Sequence, residues 1–168
     1  MLFFKLKINQ KLFLGILLGA TLLASCATPK KASVRGGGDT RADKVISTAR
    51  TFIGTPYKYG GTTRSGMDCS GLLINSFRAV EMNLPRSSEA QSKIGTEIKM
   101  SELKPGDLVF FATGDKRKVI SHVGLITDVK SKDNVKFIHA SSHLGVVETN
   151  LFAEYYQKRF RTARRIIN

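Results

Sequence analysis

The hexapeptide Gly66-Met67-Asp68-Cys69-Ser70-Gly71 sets a thiol between a glycine-permitted turn and a run whose apolar residues have helical period. Leu72, Leu73, Ser76, Phe77 and Val80 recur at spacings of three and four and so mark one buried face of a helix. Cys69 then falls in the first turn, where unpaired backbone N–H groups and the positive end of the helix dipole favour thiolate over thiol. Free cysteines are often small buried hydrophobes, but a polar, glycine-bracketed hexapeptide is a poor core segment. The position is that of a nucleophile held on a packed element.

Upstream, Lys5, Lys7 and Lys11 flank or precede the apolar run of residues 12–23, and no acid comes before Asp39. That run is too short for a membrane span, which needs roughly 20 residues, and the pattern is that of a secretory signal. Leu23-Ala24-Ser25-Cys26 is similar to the lipobox of bacterial lipoproteins. The similarity implies removal of residues 1–25, lipidation of Cys26 on sulfur, and a lipid-anchored place in the cell envelope, on the outer membrane facing the periplasm. An uncleaved anchor helix is the alternative. Residues 27–39 include Pro29, Lys30, Lys31, Ser33 and Gly36-Gly37-Gly38, with no apolar period. Residues 26–39 are therefore expected to be the lipidated cysteine and a flexible tether, whose 13 or so linker residues reach about 40 Å when extended. Residues 40–168 form one domain with a real core.

The chain has two cysteines. With Cys26 taken by lipid, Cys69 has no disulfide partner, and an unpaired cysteine in an exported protein points to a reactive thiol. Loss of residues 1–25 removes three lysines and lowers the formal charge from +14 to +11. Such a field favours polyanions and anionic surfaces, which in the envelope means carboxylate-rich wall, anionic polysaccharide and lipid headgroups. Nucleic acid is a poor partner, since the protein is exported and carries no recognisable nucleic-acid motif. A cluster of Lys158, Arg159, Arg161, Arg164 and Arg165 carries part of the charge, and a solvated strand face explains it equally well.

A first helix, capped at Asp39 or Thr40, buries Val45, Ile46, Ala49 and Phe52 and stops at Gly54. Residues 55–61, Thr-Pro-Tyr-Lys-Tyr-Gly-Gly, run extended toward Cys69. Leu84-Pro85 ends the Cys69 helix region, and Ser87 or Ser88 caps a short helix to about Ile94. Strands are expected at Leu108 to Phe111, Ser121 to Val129, Val135 to Ala140, Gly145 to Glu148 and Arg159 to Ile166. Helices first and strands later argue an α+β domain with an antiparallel sheet.

A cysteine nucleophile needs a base, and His122 and His139 lie in two strands of one predicted hairpin. By alternation His122 shares a face with Gly124 and Ile126, and His139 with Val135 and Phe137. Those faces are apolar, so both imidazoles are expected to point toward the helix that bears Cys69. His143, in a polar loop, has no assigned part. A zinc site of Cys69, His122 and His139 is the metal-binding alternative, disfavoured because the short ligand spacings of zinc sites are missing.

Four ordered motifs, Asp68-Cys69-Ser70-Gly71, Pro105-Gly106-Asp107-Leu108-Val109-Phe110-Phe111, His122-Val123-Gly124-Leu125 and Phe137-Ile138-His139-Ala140, resemble the NlpC/P60 cysteine peptidases of the bacterial cell wall. The lipobox and residues 55–61 look most like that family's single-domain lipoprotein subgroup. The resemblance implies a papain-like fold, Cys69 as nucleophile, His122 as base and acid, and His139 as the third polar residue, orienting His122. It also implies substrate contacts by Tyr57, Asp68 and Ser70, with Asp68 available to a ligand ammonium and Tyr57 to the oxyanion. The substrate would be the peptidoglycan stem peptide, cleaved without a cofactor by a monomer. An N-acetylmuramoyl-L-alanine amidase and a non-catalytic wall-binding lipoprotein are the alternatives.

Overall fold

Val45, Ile46 and Ala49 bury one side of α1 (Thr40–Arg50), and Gly54, at φ +84°, turns the chain out of the coil that follows it. The computed structural model describes residues 40–116 and 118–167. The signal segment, Cys26 and the tether lie outside the described residues. Residues 55–61 approach the site extended, Tyr57 bridging to Met67, and a short hairpin follows, β1 (Thr62–Thr63) and β2 (Gly66–Met67), which the sequence pattern does not announce.

The central helix α2 (Cys69–Arg78) begins where expected, with Asp68 as its N-cap, accepting from the Gly71 N–H at 2.7 Å. Leu72, Leu73 and Phe77 are fully buried, each stabilising the fold by about 1.5–3 kcal/mol. Gly71 is required by close approach, since a Cβ there would lie 2.3 Å from the Gly61 carbonyl oxygen. After Leu84-Pro85, Ser87 caps α3 (Ser88–Gln91), shorter than expected.

A six-stranded sheet follows, antiparallel throughout, in the spatial order β3 (Thr96–Ile98), β8 (Phe160–Arg165), β4 (Leu108–Phe111), β5 (His122–Val129), β6 (Val135–Ser141), β7 (Gly145–Asn150). The α+β architecture is thus as the element order predicts. Strand β3 and the helix α4 (Glu154–Arg159) are additions to the expected set, and β8 is drawn back between β3 and β4.

Both faces of the sheet are apolar. Leu108, Phe110, Val123, Leu125, Ile138 and Ala140 pack against α1 and α2, while Val109, Phe111, Ile126, Val135, Phe137 and Ala163 form a second core with Leu103 and Leu151. Asp107, 1% exposed, receives Arg165 in a two-pronged pair at 2.8 Å and the Lys104 N–H, also at 2.8 Å, tying β8 to the turn before β4. The basic cluster is therefore largely occupied. Arg164 meets Glu97, Lys158 meets Glu154, and Arg159 lies over the Tyr155 ring at 3.8 Å.

Candidate active site

Cys69 heads α2 and is 7% exposed, its sulfur set against the backbone of Val123 and of Ser70. Burial pushes the thiol up to about 11. The backbone groups of Val123, Ser70 and Cys69 itself oppose this, while nearby Asp68 adds to it. This corrects the expectation of a resting thiolate: the helix N-terminus acts in the predicted direction, but loss of solvent outweighs it.

His122 and His139 are brought together as expected, with His122 Nε2 3.0 Å from His139 Nδ1. The direction in which they point is a second correction. They share the sheet face with Phe111 and Phe137, His139 stacking on Phe137 at 4.7 Å, and not the face covered by α2. Alternation is correct; what fails is the equation of an apolar face with the helix-covered face, because this sheet buries both. Gly124, on the same face, leaves room for Phe137, whose ring a Cβ would approach to 2.4 Å.

Cys69 lies beside the start of β5, its sulfur set against the backbone of Val123, the residue after His122. A hollow of about 450 Å³ holds Cys69, Asp68, Ser70 and Arg86, and a second of about 200 Å³ holds His122, His139, His143 and Tyr156. Tyr57 and Ser121 line both, so the hollow at the thiol adjoins the hollow at the imidazoles. Burial pushes His122 down to about 4, and burial with the neighbouring His122 pushes His139 down to about 3. Thiol and imidazoles alike are held neutral.

Tyr57 sits on the wall of the thiol's hollow as expected, its hydroxyl kept protonated chiefly by burial and then by Cys69 and Asp68. Asp68 and Ser70 lie in the floor, but their polar atoms are engaged with protein. Arg86 donates to both oxygens of Asp68, at 3.0 and 2.7 Å, and to Ser70 Oγ at 2.8 Å; Ser70 in turn donates to Asp68 at 3.0 Å, and the Gly60 N–H to Asp68 at 2.9 Å. Burial alone would raise the Asp68 carboxyl, yet the bonds from Arg86, Gly71 and Ser70 hold it below the usual carboxylate range. Asp68 therefore caps α2 and pairs with Arg86, and an incoming ammonium would meet a carboxylate already engaged by a guanidinium. Arg86, itself exposed, is the hub of this network.

Gln91, unmarked by any sequence pattern, donates to the carbonyls of Ser70 at 3.3 Å and Pro85 at 2.8 Å. Ser121 is also unexpected at the site: its Oγ accepts from the Thr113 and Gly114 N–H groups at 2.9 Å. So are Thr149 and Tyr156, both beside His139. Only Tyr156 had a usable signal, the Glu154/Lys158 spacing of four that marks a helical turn around it. Among the described residues, no group of three or more His, Cys, Asp or Glu is placed to hold a metal ion.

The profile of the NlpC/P60 family matches residues 54–165. The chain is similar to a protein named probable endopeptidase NlpC from Escherichia coli (strain K12), 42% identical over 159 residues, covering 92% of this chain and 99% of that one. It is also similar to murein DD-endopeptidase MepS/murein LD-carboxypeptidase of the same strain, 36% identical over 126 residues, covering 74% of this chain but 63% of that one. Among solved structures, an NlpC/P60 family protein from Bacillus cereus ATCC 10987 superposes with a TM-score of 0.68 at 30% identity, over 76% of this chain and 40% of that one. Since the matched span runs from the approach to Cys69 through the strands of both histidines to the end of the sheet, the chain belongs to the NlpC/P60 family.

Proposed function

We propose that the protein is a cysteine endopeptidase of the cell wall, hydrolysing amide bonds in peptidoglycan stem peptides or their cross-links. The observation that carries this reading is the pair of adjoining hollows, one holding Cys69 at the head of α2 and the other the His122–His139 pair, within the family-matched span. Two relatives named as endopeptidases support the same reaction class.

With Nε2 of His122 turned to His139, Nδ1 is the nitrogen left to act as base. As the sulfur attacks the amide carbon, His122 takes the thiol proton. The Cys69 N–H and the Tyr57 hydroxyl donate to the oxyanion that forms. The same proton passes to the leaving nitrogen as the C–N bond breaks, giving a free amine and a thioester on Cys69. Water, deprotonated by His122, then attacks the thioester; the sulfur leaves, regains the proton, and the acid product departs. Because both partners rest neutral, proton transfer accompanies attack and does not precede it.

Two bonds fit, that between γ-D-glutamate and the diamino acid and that between the diamino acid and D-alanine of a cross-link. Digestion of purified sacculi followed by muropeptide analysis is expected to show cleavage at one of them with L-alanine still on the sugar strand. Release of the intact stem from the sugar would make the protein an amidase, and unchanged sacculi would make it a wall-binding protein.

The lipobox, the basic charge and the low-complexity residues 27–39 support a lipid-anchored protein in the envelope, facing the periplasm, that reaches the wall on its tether. Cys26→Ser is expected to shift the protein from the membrane to the soluble fraction with its activity on sacculi intact. Unchanged membrane retention would refute the anchor.

A further inference from the structure

His139 is held on every side, and its far nitrogen is where the choice of proton position is made. The ring stacks on Phe137 at 4.7 Å, meets His122 at its Nδ1, and presents Nε2 to two hydroxyls, Thr149 Oγ1 and Tyr156 Oη, each 3.2 Å away. Thr149 comes from β7, on the strand beside His139, and Tyr156 from α4, whose ring packs edge-on against Phe111, Phe137 and His139.

One proton lies between the two imidazoles, and two arrangements are open to a neutral pair. If His122 carries it on Nε2 and donates to His139 Nδ1, then His122 Nδ1 is a free lone pair and His139 must carry its own proton on Nε2. If His139 carries it on Nδ1, His122 is protonated on Nδ1 and has no lone pair to offer Cys69. The first arrangement works as a base and the second does not. The hydroxyls decide between them, since acceptors at Nε2 favour the first and a donor there favours the second.

Two oxygens at the same 3.2 Å from one ring nitrogen fit a single N–H shared between two acceptors, a three-centre bond. We infer that Thr149 and Tyr156 are positioning residues: their hydroxyls jointly accept the Nε2–H of His139 and so fix the tautomer chain that leaves His122 Nδ1 free for the Cys69 proton. This rests on the peptidase reading of the site and adds to it two residues that act only through His139. When His122 becomes an imidazolium, its Nε2–H still finds His139 Nδ1 as acceptor, so the same chain serves both halves of the reaction.

The test uses the whole chain, labelled with ¹⁵N-histidine, and two-bond ¹⁵N–¹H couplings read at neutral pH. His139 is expected to be protonated on Nε2 and His122 on Nε2; a proton on His139 Nδ1 in the wild-type protein would overturn the inference, and this measurement requires no variant to fold. Tyr156→Phe keeps the ring packing and Thr149→Val keeps the strand, so both remove mainly a hydroxyl. Each is expected to lower kcat about tenfold and the double variant about 100-fold, with KM unchanged. Those losses are well short of the roughly 10⁴ seen when a triad histidine is forced into the wrong tautomer outright. The double variant is also expected to move the His139 proton to Nδ1. Wild-type kcat in the folded double variant, while His122→Ala is inactive, would refute the positioning role and leave the peptidase reading standing. Full activity in His122→Ala would instead remove the peptidase reading, and the tautomer measurement would still decide the hydroxyls' part.

Discussion

Cys69→Ala is expected to lower hydrolysis of sacculi by at least about 10⁴, since loss of a covalent nucleophile leaves only binding and oxyanion contacts to act. The fold should be nearly indifferent at neutral pH. The thiol lies at the end of a helix whose burial is carried by Leu72, Leu73 and Phe77, and its N-cap, Asp68, is untouched, so unfolding should change by no more than about 1 kcal/mol. His122→Ala should be nearly as inactive, and combining the two should add little, because groups that act as one unit are not additive. His139→Ala should lose less, since it holds His122 and does not itself touch the reacting atoms. Iodoacetamide should inactivate the wild-type protein by labelling Cys69, and chelators should leave it active. Activity that disappears with a chelator and returns with zinc would replace the thiol mechanism by a metal one, and undiminished cleavage by Cys69→Ala would end the peptidase reading altogether.

How far such a site can be read from sequence depends on whether its parts are local. The period of Leu72, Leu73, Ser76 and Phe77 located α2, and the run Leu108 to Phe111 located β4, because burial on one element leaves a pattern in that element. The partnership of His122 and His139 followed from their places in one hairpin. The Asp68–Arg86 pair did not follow from anything local. Eighteen positions separate the two residues, and only the turn through Pro85 returns the guanidinium to the helix start. The short, mostly exposed β3 has no buried face to give it a period, and its pairing with β8 is a long-range event. Which face of the sheet the histidines take was open for a different reason: with cores on both sides, hydrophobicity at alternate positions carries no direction.

Protons at the resting site sit opposite to what the position of Cys69 at a helix start suggests. With the thiol held up to about 11 and His122 down to about 4, the resting pair is neutral across the physiological range. Alkylation by iodoacetamide needs thiolate, so its rate should climb about tenfold per pH unit, by about 1,000-fold from pH 7 to pH 10, before levelling. A thiolate–imidazolium pair already formed would instead give a flat rate over those values, and that result would sink the neutral-pair account. Hydrolysis should fall on the acid side as His122 gains a proton near pH 4, and on the alkaline side as the thiol ionises near 11, with both limbs belonging to the coupled site and not to one residue. Stability provides an independent check. An acid whose folded-state value is raised from 9.0 to about 11 contributes stability that is present below pH 9 and lost as pH rises through 11. The wild-type protein should therefore lose about 2 kcal/mol between pH 8 and pH 11 relative to Cys69→Ala. Parallel unfolding curves for the two proteins at pH 8 and pH 11 measure the difference, and a constant gap between them would mean that burial does not hold the proton on Cys69.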